Sequence, residues 1–106
     1  MKKVMISQPM TDKSYTEIAA VKRKFLQYAK DHDMEVVNTL FTDEWFSDES
    51  MMSRGVVNIP LCFLAKSLEA MADCHCVYFA KGWETTRGCR LEHEAAVAYK
   101  VEIIYE

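Results

Sequence analysis

CHCVYFAKGWETTRGCRLEHEAAVAYKVEIIY, Cys74 to Tyr105, decides the fold of this chain. An apolar run from Cys74 to Phe79 ends in the turn Gly82-Trp83-Glu84, a helix-forming stretch follows from Arg87 to Tyr99, and a β-branched run closes at Val101 to Tyr105. Strand, helix and strand joined by short turns predict a right-handed crossover between parallel strands. Thr85 or Thr86 is available to cap the helix, since a hydroxyl before the first turn accepts from a free backbone N–H.

The same pattern extends toward the amino terminus. Lys3 to Ser7 reads as a short buried strand that Pro9 ends, because proline has no N–H to give a ladder. From Ser14 to Asp31 the apolar positions Tyr15, Ile18, Ala19, Val21, Phe25, Leu26 and Tyr28 recur at helical spacing, with Ser14 and Glu17 placed as a capping box. A turn at Asp31-His32-Asp33 leads to a second strand, Met34 to Asn38. Leu40 to Arg54 loses periodicity and reads as a loop or broken helix that exposes Trp45, Phe46, Met51 and Met52. Ile59 to Ala72 returns to helix, with Pro60 in the first turn where its missing donor costs least.

This alternation predicts one α/β domain over residues 1–106: a flavodoxin-like doubly wound sheet of about four parallel strands, order 2-1-3-4, with helices on both faces. That order puts the switch point between the first and third strands. Ser7-Gln8-Pro9-Met10 and Lys81-Gly82-Trp83-Glu84 then converge on one crevice, where ligands of such sheets bind.

With 106 residues, 50% hydrophobic and 27% charged, the chain has enough apolar mass for one core and no room for a second domain. A net charge of -3 argues against a nucleic-acid partner, and Lys22-Arg23-Lys24 reads as a solvated helix face. No apolar run reaches the roughly 18 residues a membrane span needs. Four cysteines behind an opening that does not resemble a signal peptide lead us to expect a reduced, cytoplasmic protein. Cys74, His75, Cys76, Cys89 and His93 lack the paired C-x-x-C spacing of a zinc site. Buried thiols and no metal are expected, with alternation along the strand placing the Cys74 and Cys76 sulfurs on one face.

Glu92 falls about two turns into the last helix and shares a face with Cys89, Ala95, Ala96 and Tyr99. It reads either as a carboxylate poised for attack or as a charge complementing the helix dipole. Trp83 beside Gly82 is either a platform for a flat ring or a lid over the core. Glu84 is either a second catalytic carboxylate or a partner for Arg87. Arg87, Gly88 and the Thr86 hydroxyl at the helix start suit an anion such as phosphate.

VMISQPMT, Val4 to Thr11, and VYFAKGWETTRGCRLEHEAAVAYKVEIIYE, Val77 to Glu106, together resemble the nucleoside 2-deoxyribosyltransferase-like superfamily, in a compact branch of bacteria and phages. The resemblance covers both ends of the chain and leaves Leu40 to Arg54 unmatched. It implies that Glu92 is a nucleophile that attacks the anomeric carbon of a 2-deoxynucleoside or its 5′-monophosphate, forming a glycosyl-enzyme that water or a second base resolves. No cofactor is implied. The family usually sets further aspartates around its nucleophile, whereas Leu64-Ala65-Lys66-Ser67 stands there in this chain, so Glu84, Asp12 and Asp43 are the candidate acids. Glu94 stands where the family often has glycine. The resemblance also implies a homo-oligomer, with the exposed apolar groups between Trp45 and Met52 as its surface. A nucleotide-sensing domain without turnover is the alternative.

Overall fold

In the computed structural model, residues 1–38 and 46–106 are described. Strand β1 is Lys3–Ser7, helix α1 Tyr15–Asp31, β2 Glu35–Val36, α2 Asp48–Ser53, α3 Ile59–Ala72, β3 Cys76–Phe79, α4 Arg87–Ala98 and β4 Glu102–Tyr105. A single 3-10 turn, Trp83–Thr85, lies between β3 and α4. The four strands form one parallel sheet in the order β2-β1-β3-β4, the flavodoxin-like arrangement that the alternation of elements predicts.

Register explains how the core divides. Val4 pairs with Cys76 and Ser7 with Phe79, so alternate side chains of the two central strands leave on opposite faces. Val4, Ile6, Cys76 and Tyr78 face α1 and pack on Phe25 and Ala29. Met5, Val77 and Phe79 face the other way, onto Ala70 and Met71 of α3 and Ala96 of α4. The Phe25 ring lies 5.2 Å from that of Tyr78 and is fully buried, which contributes about 2 to 3 kcal/mol.

Local chemistry sets the helix ends. Ser14 and Glu17 form the capping box, each side chain taking the other's backbone N–H. Asn58 caps α3 by accepting from the Leu61 N–H at 3.0 Å. At the exits of α1 and α4 the chain reverses through Asp33 (φ 52°) and Lys100 (φ 58°). The Met34 N–H then reaches the Ala29 carbonyl at 2.8 Å and Val101 reaches Ala96 at 2.9 Å, the double closure of a Schellman motif on two residues that are not glycine.

Three sequence expectations need correction. β3 begins at Cys76; Cys74 belongs to the exit of α3, where its thiol donates to the Ala70 carbonyl. Strand alternation therefore does not reach Cys74, and the two sulfurs pack on opposite faces of the sheet. The stretch read as a loop or broken helix does contain the short helix α2, but it turns Phe46 and Met51 inward rather than exposing them, with Phe46 stacked 5.3 Å from Phe63. Of the apolar groups expected on that surface Met52 is exposed, while Trp45 lies outside the described residues. β2 is also only two residues long, and it pairs with Lys3 and Val4 alone.

Candidate functional site

The site lies at the carboxyl end of β1. Beyond Val4 the outer edge of β1 has no strand beside it among the described residues, and a cavity of about 610 Å³ opens there, floored by Ile6, Ser7 and Gln8. Tyr15, Ile18, Ala19, Lys22 and Arg23 of α1 form one wall, Phe63 and Ser67 of α3 another. The amino-terminal turns of α4 contribute Gly88, Cys89 and Glu92, with Thr86 just before them; Met10 and Thr11 edge the mouth. Gln8 ties floor to wall by donating from Nε2 to the Ile18 carbonyl at 3.3 Å. The volume lies within the range of about 300 to 1,000 Å³ usual for small-molecule sites.

Glu92 is the only acidic side chain among the described lining residues. Burial pushes its carboxyl up to about 7, far above the ordinary value of 4.5, and the Ser7 hydroxyl draws it partly back. Ser7 Oγ is itself buried, its residue only 2% exposed, and makes no well-formed hydrogen bond; its pull on Glu92 acts short of full bonding geometry. Thr86 Oγ1 is buried and unpartnered as well, so Thr86 starts α4 without capping it. Cys89, one turn before Glu92, is held as a neutral thiol first by burial, with Glu92 adding to the rise and Ser7 and Thr86 opposing it.

Of the residues singled out in the sequence, Ser7, Gln8, Met10, Thr86, Gly88 and Glu92 line this cavity. Pro9 and Gly82 do bring the two loops together: an atom placed at the Cβ position of Gly82 lies 3.7 Å from Pro9 Cγ, and Gly82 takes φ 88°, which side chains resist. Trp83, however, turns toward β4. It stacks on His93 at 4.0 Å and 18°, with Phe79 and Tyr105 around it, and His93 Nε2 and the Tyr105 hydroxyl share a hydrogen bond of 2.6 Å. The lid reading of Trp83 thus fits its position. Glu84 is exposed, outside the cavity, and offers only its backbone carbonyl, to Arg90 at 3.3 Å. Arg87 is exposed and off the cavity wall. Asp12 is exposed in a left-handed turn, and Asp43 lies outside the described residues.

Lys22 and Arg23 are the residues that sequence reading assigned elsewhere. The signal was present: Tyr15, Ile18, Ala19 and Lys22 fall at i, i+3, i+4 and i+7, one stripe of a helix. Lys22, at the end of that stripe, is partly buried, whereas Tyr15 at its start and Arg23 beside it remain exposed.

His75 and the remaining thiols serve the fold. His75 Nδ1 accepts from the Lys3 N–H at 3.0 Å, and the Cys76 thiol donates to Glu102 Oε2 at 2.8 Å. Burial holds both Cys74 and Cys76 up at about 11, so neither is a ready thiolate. Among the described residues no group of three His, Cys, Asp or Glu side chains is arranged to hold a metal ion. No described helix is long and apolar enough to cross a membrane.

Fold and site together define a parallel α/β domain with a ligand-sized crevice at the carboxyl end of its first strand, lined among the described residues by a single, half-buried glutamate. In comparisons with known proteins, no family model and no curated protein matches the chain.

Proposed function

We propose that this chain binds a 2-deoxynucleoside or its 5′-monophosphate in the β1 crevice and breaks the N-glycosidic bond, with Glu92 as nucleophile. The observation that carries the reading is the position of Glu92: a half-buried carboxylate, the only acid among the described lining residues, fixed on a helix and facing a cavity of nucleoside size. In the first step a Glu92 carboxylate oxygen bonds to the anomeric carbon while the bond to the base nitrogen breaks. The electron pair leaves with the base, which takes a proton from solvent. In the second step water or another base nitrogen displaces the carboxylate at the same carbon and releases its proton to solvent, restoring Glu92.

Two features of the pocket support this chemistry. Burial makes the carboxylate poorly solvated, so forming an ester relieves a charge that the fold disfavours. The apolar walls, Ile18, Ala19 and Phe63, suit a sugar and base rather than an extended polar chain.

A second reading, binding without turnover, draws on the lack of a second carboxylate among the described lining residues. Incubation with a panel of 2-deoxynucleosides and 5′-monophosphates separates the two, with free base followed by chromatography and the quenched protein weighed intact. Base release and a glycosyl adduct, both absent in Glu92→Gln, are the expected result. Binding by calorimetry with no base released refutes turnover and favours the sensor. Unchanged turnover in Glu92→Gln removes Glu92 from the mechanism.

A further inference from the structure

We infer that Gln8 reads the base: its side-chain carbonyl oxygen is held toward the crevice as a fixed acceptor, so that the chain selects bases with an exocyclic amino group, adenine or cytosine, over the keto bases hypoxanthine and uracil. This rests on the preceding reading of the crevice as a nucleoside site, and it gives that site its substrate class.

Gln8 directly follows the last residue of β1 and is only 9% exposed, yet it lines the cavity floor. A polar side chain set that deep needs partners for both ends of its amide. The nitrogen end has one, since Nε2 donates to the Ile18 carbonyl at 3.3 Å. A carbonyl can only accept, so this bond also settles which end of the Gln8 amide is oxygen. Among the described residues no donor reaches Oε1. Nor is that oxygen closed off, as the hydroxyl oxygens of Ser7 and Thr86 are; it keeps open space in front of it.

Chemistry and placement then name the group that fits. Oε1 accepts and cannot donate, so it takes an N–H or O–H of the ligand. Gln8 is tied to α1, whose Ile18 and Ala19, with Phe63 of α3, are the apolar surfaces suited to a flat ring. Glu92 lies on α4 and must meet the anomeric carbon, which leaves the base edge, rather than the sugar, for Gln8. An exocyclic amino group supplies the missing donor. A keto oxygen at the same place sets acceptor against acceptor, and the amide cannot turn Nε2 inward without breaking its bond to Ile18. Sites built to hydrogen-bond a ligand group reject the analogue lacking it, because their own polar atom is left unpaired.

Calorimetry on the full chain tests this with ligands that differ at one position of the base: 2-deoxyadenosine, purine 2-deoxyriboside, which has hydrogen in place of the amino group, and 2-deoxyinosine, which has a keto oxygen there. Glu92→Gln keeps these ligands intact during titration, while free adenine and hypoxanthine are titrated into the unaltered chain. Affinity should fall in the order given, with 2-deoxyadenosine about tenfold or more tighter than 2-deoxyinosine, and 2-deoxycytidine should exceed 2-deoxyuridine likewise. Gln8→Met keeps the side-chain length, loses the acceptor and should bring each ratio near one. Circular dichroism shows whether that variant is folded, and the ligand series with Gln8 in place decides the matter even if it is not.

Equal affinity for amino and keto forms overturns the assignment, and base release in that case leaves the N-glycosidic reading standing. A preference that survives in folded Gln8→Met overturns it too. So does a Gln8-dependent loss of affinity for 3′-deoxy ligands with amino and keto bases bound alike, which gives the oxygen to the sugar. A Gln8-dependent preference for adenine over hypoxanthine, with no base released from any nucleoside, supports the assignment and sinks the N-glycosidic reading. Binding of none of these ligands refutes both.

Discussion

Replacing Glu92 with glutamine should stabilise the protein at pH 8 and leave it nearly unchanged at pH 5. The folded carboxyl titrates at about 7 against an ordinary 4.5. At about 1.4 kcal/mol per tenfold change in the protonation equilibrium, that gap is worth about 3 kcal/mol. The sign follows from which state holds the proton. A carboxyl whose folded value is raised contributes its full stability below 4.5 and loses it as pH climbs through 7, because the unfolded chain has already ionised while the fold resists ionising. Wild-type stability should therefore fall between pH 5 and pH 8.

Glutamine has nearly the same shape and carries no charge, so it avoids the cost. In a domain of this size a gain of about 3 kcal/mol corresponds to a melting temperature higher by on the order of 10 °C at pH 8. Glu102 and Glu106 titrate below their ordinary value and Cys89 above its own, so none of them contributes between pH 5 and pH 8. Urea unfolding of both proteins at the two pH values, followed by circular dichroism, measures the difference. A stability gap independent of pH, or a variant less stable than wild type at pH 8, refutes the account of a desolvated carboxyl. The same variant is the inactive one in the proposed reaction, a conflict between stability and function expected of a strained catalytic group.

Three further outcomes follow from the same geometry. If ionised Glu92 attacks the substrate, kcat/KM should rise about tenfold per pH unit below about 7 and level off above it; a profile flat from pH 5 to pH 8 speaks against the carboxylate. Trp83→Leu should cost about 1 to 2 kcal/mol, because its ring stacks on His93, while ligand affinity stays within about twofold; a large loss of affinity without loss of stability would return Trp83 to the binding site. Lys100→Gly should stabilise by about 1 kcal/mol, since glycine takes the left-handed position that ends α4 without steric cost; thermal melting checks it, and a lowered midpoint contradicts it.

The sheet was legible in the sequence because its determinants are local and periodic. Short β-branched runs gave β1 and β4 to within a residue at each end, and the α1 stripe with its Ser14 and Glu17 box gave the first helix. Strand order followed from the crossover rule together with the flavodoxin-like doubly wound pattern. The two-residue length of β2 was not legible, because Val37 and Asn38 have the same character as the residues that pair. α2 was legible only as one of two alternatives, loop or broken helix, because six residues are too few for a period to show.

The sequence by itself determined that one parallel α/β sheet forms and that Glu92 stands early in the helix after β3. Only the tertiary structure decided what surrounds that carboxyl. Whether a side chain on a helix meets solvent or a neighbour depends on how far the adjacent strand extends, and that is not encoded in the residue's own surroundings. Lys22 and Arg23 look like surface charges in sequence; both line the crevice, Lys22 partly buried and Arg23 still exposed. Trp83 and Arg87 look like ligand contacts beside Gly82, yet Trp83 turns to the stack with His93 and Tyr105 while Arg87 stays in solvent.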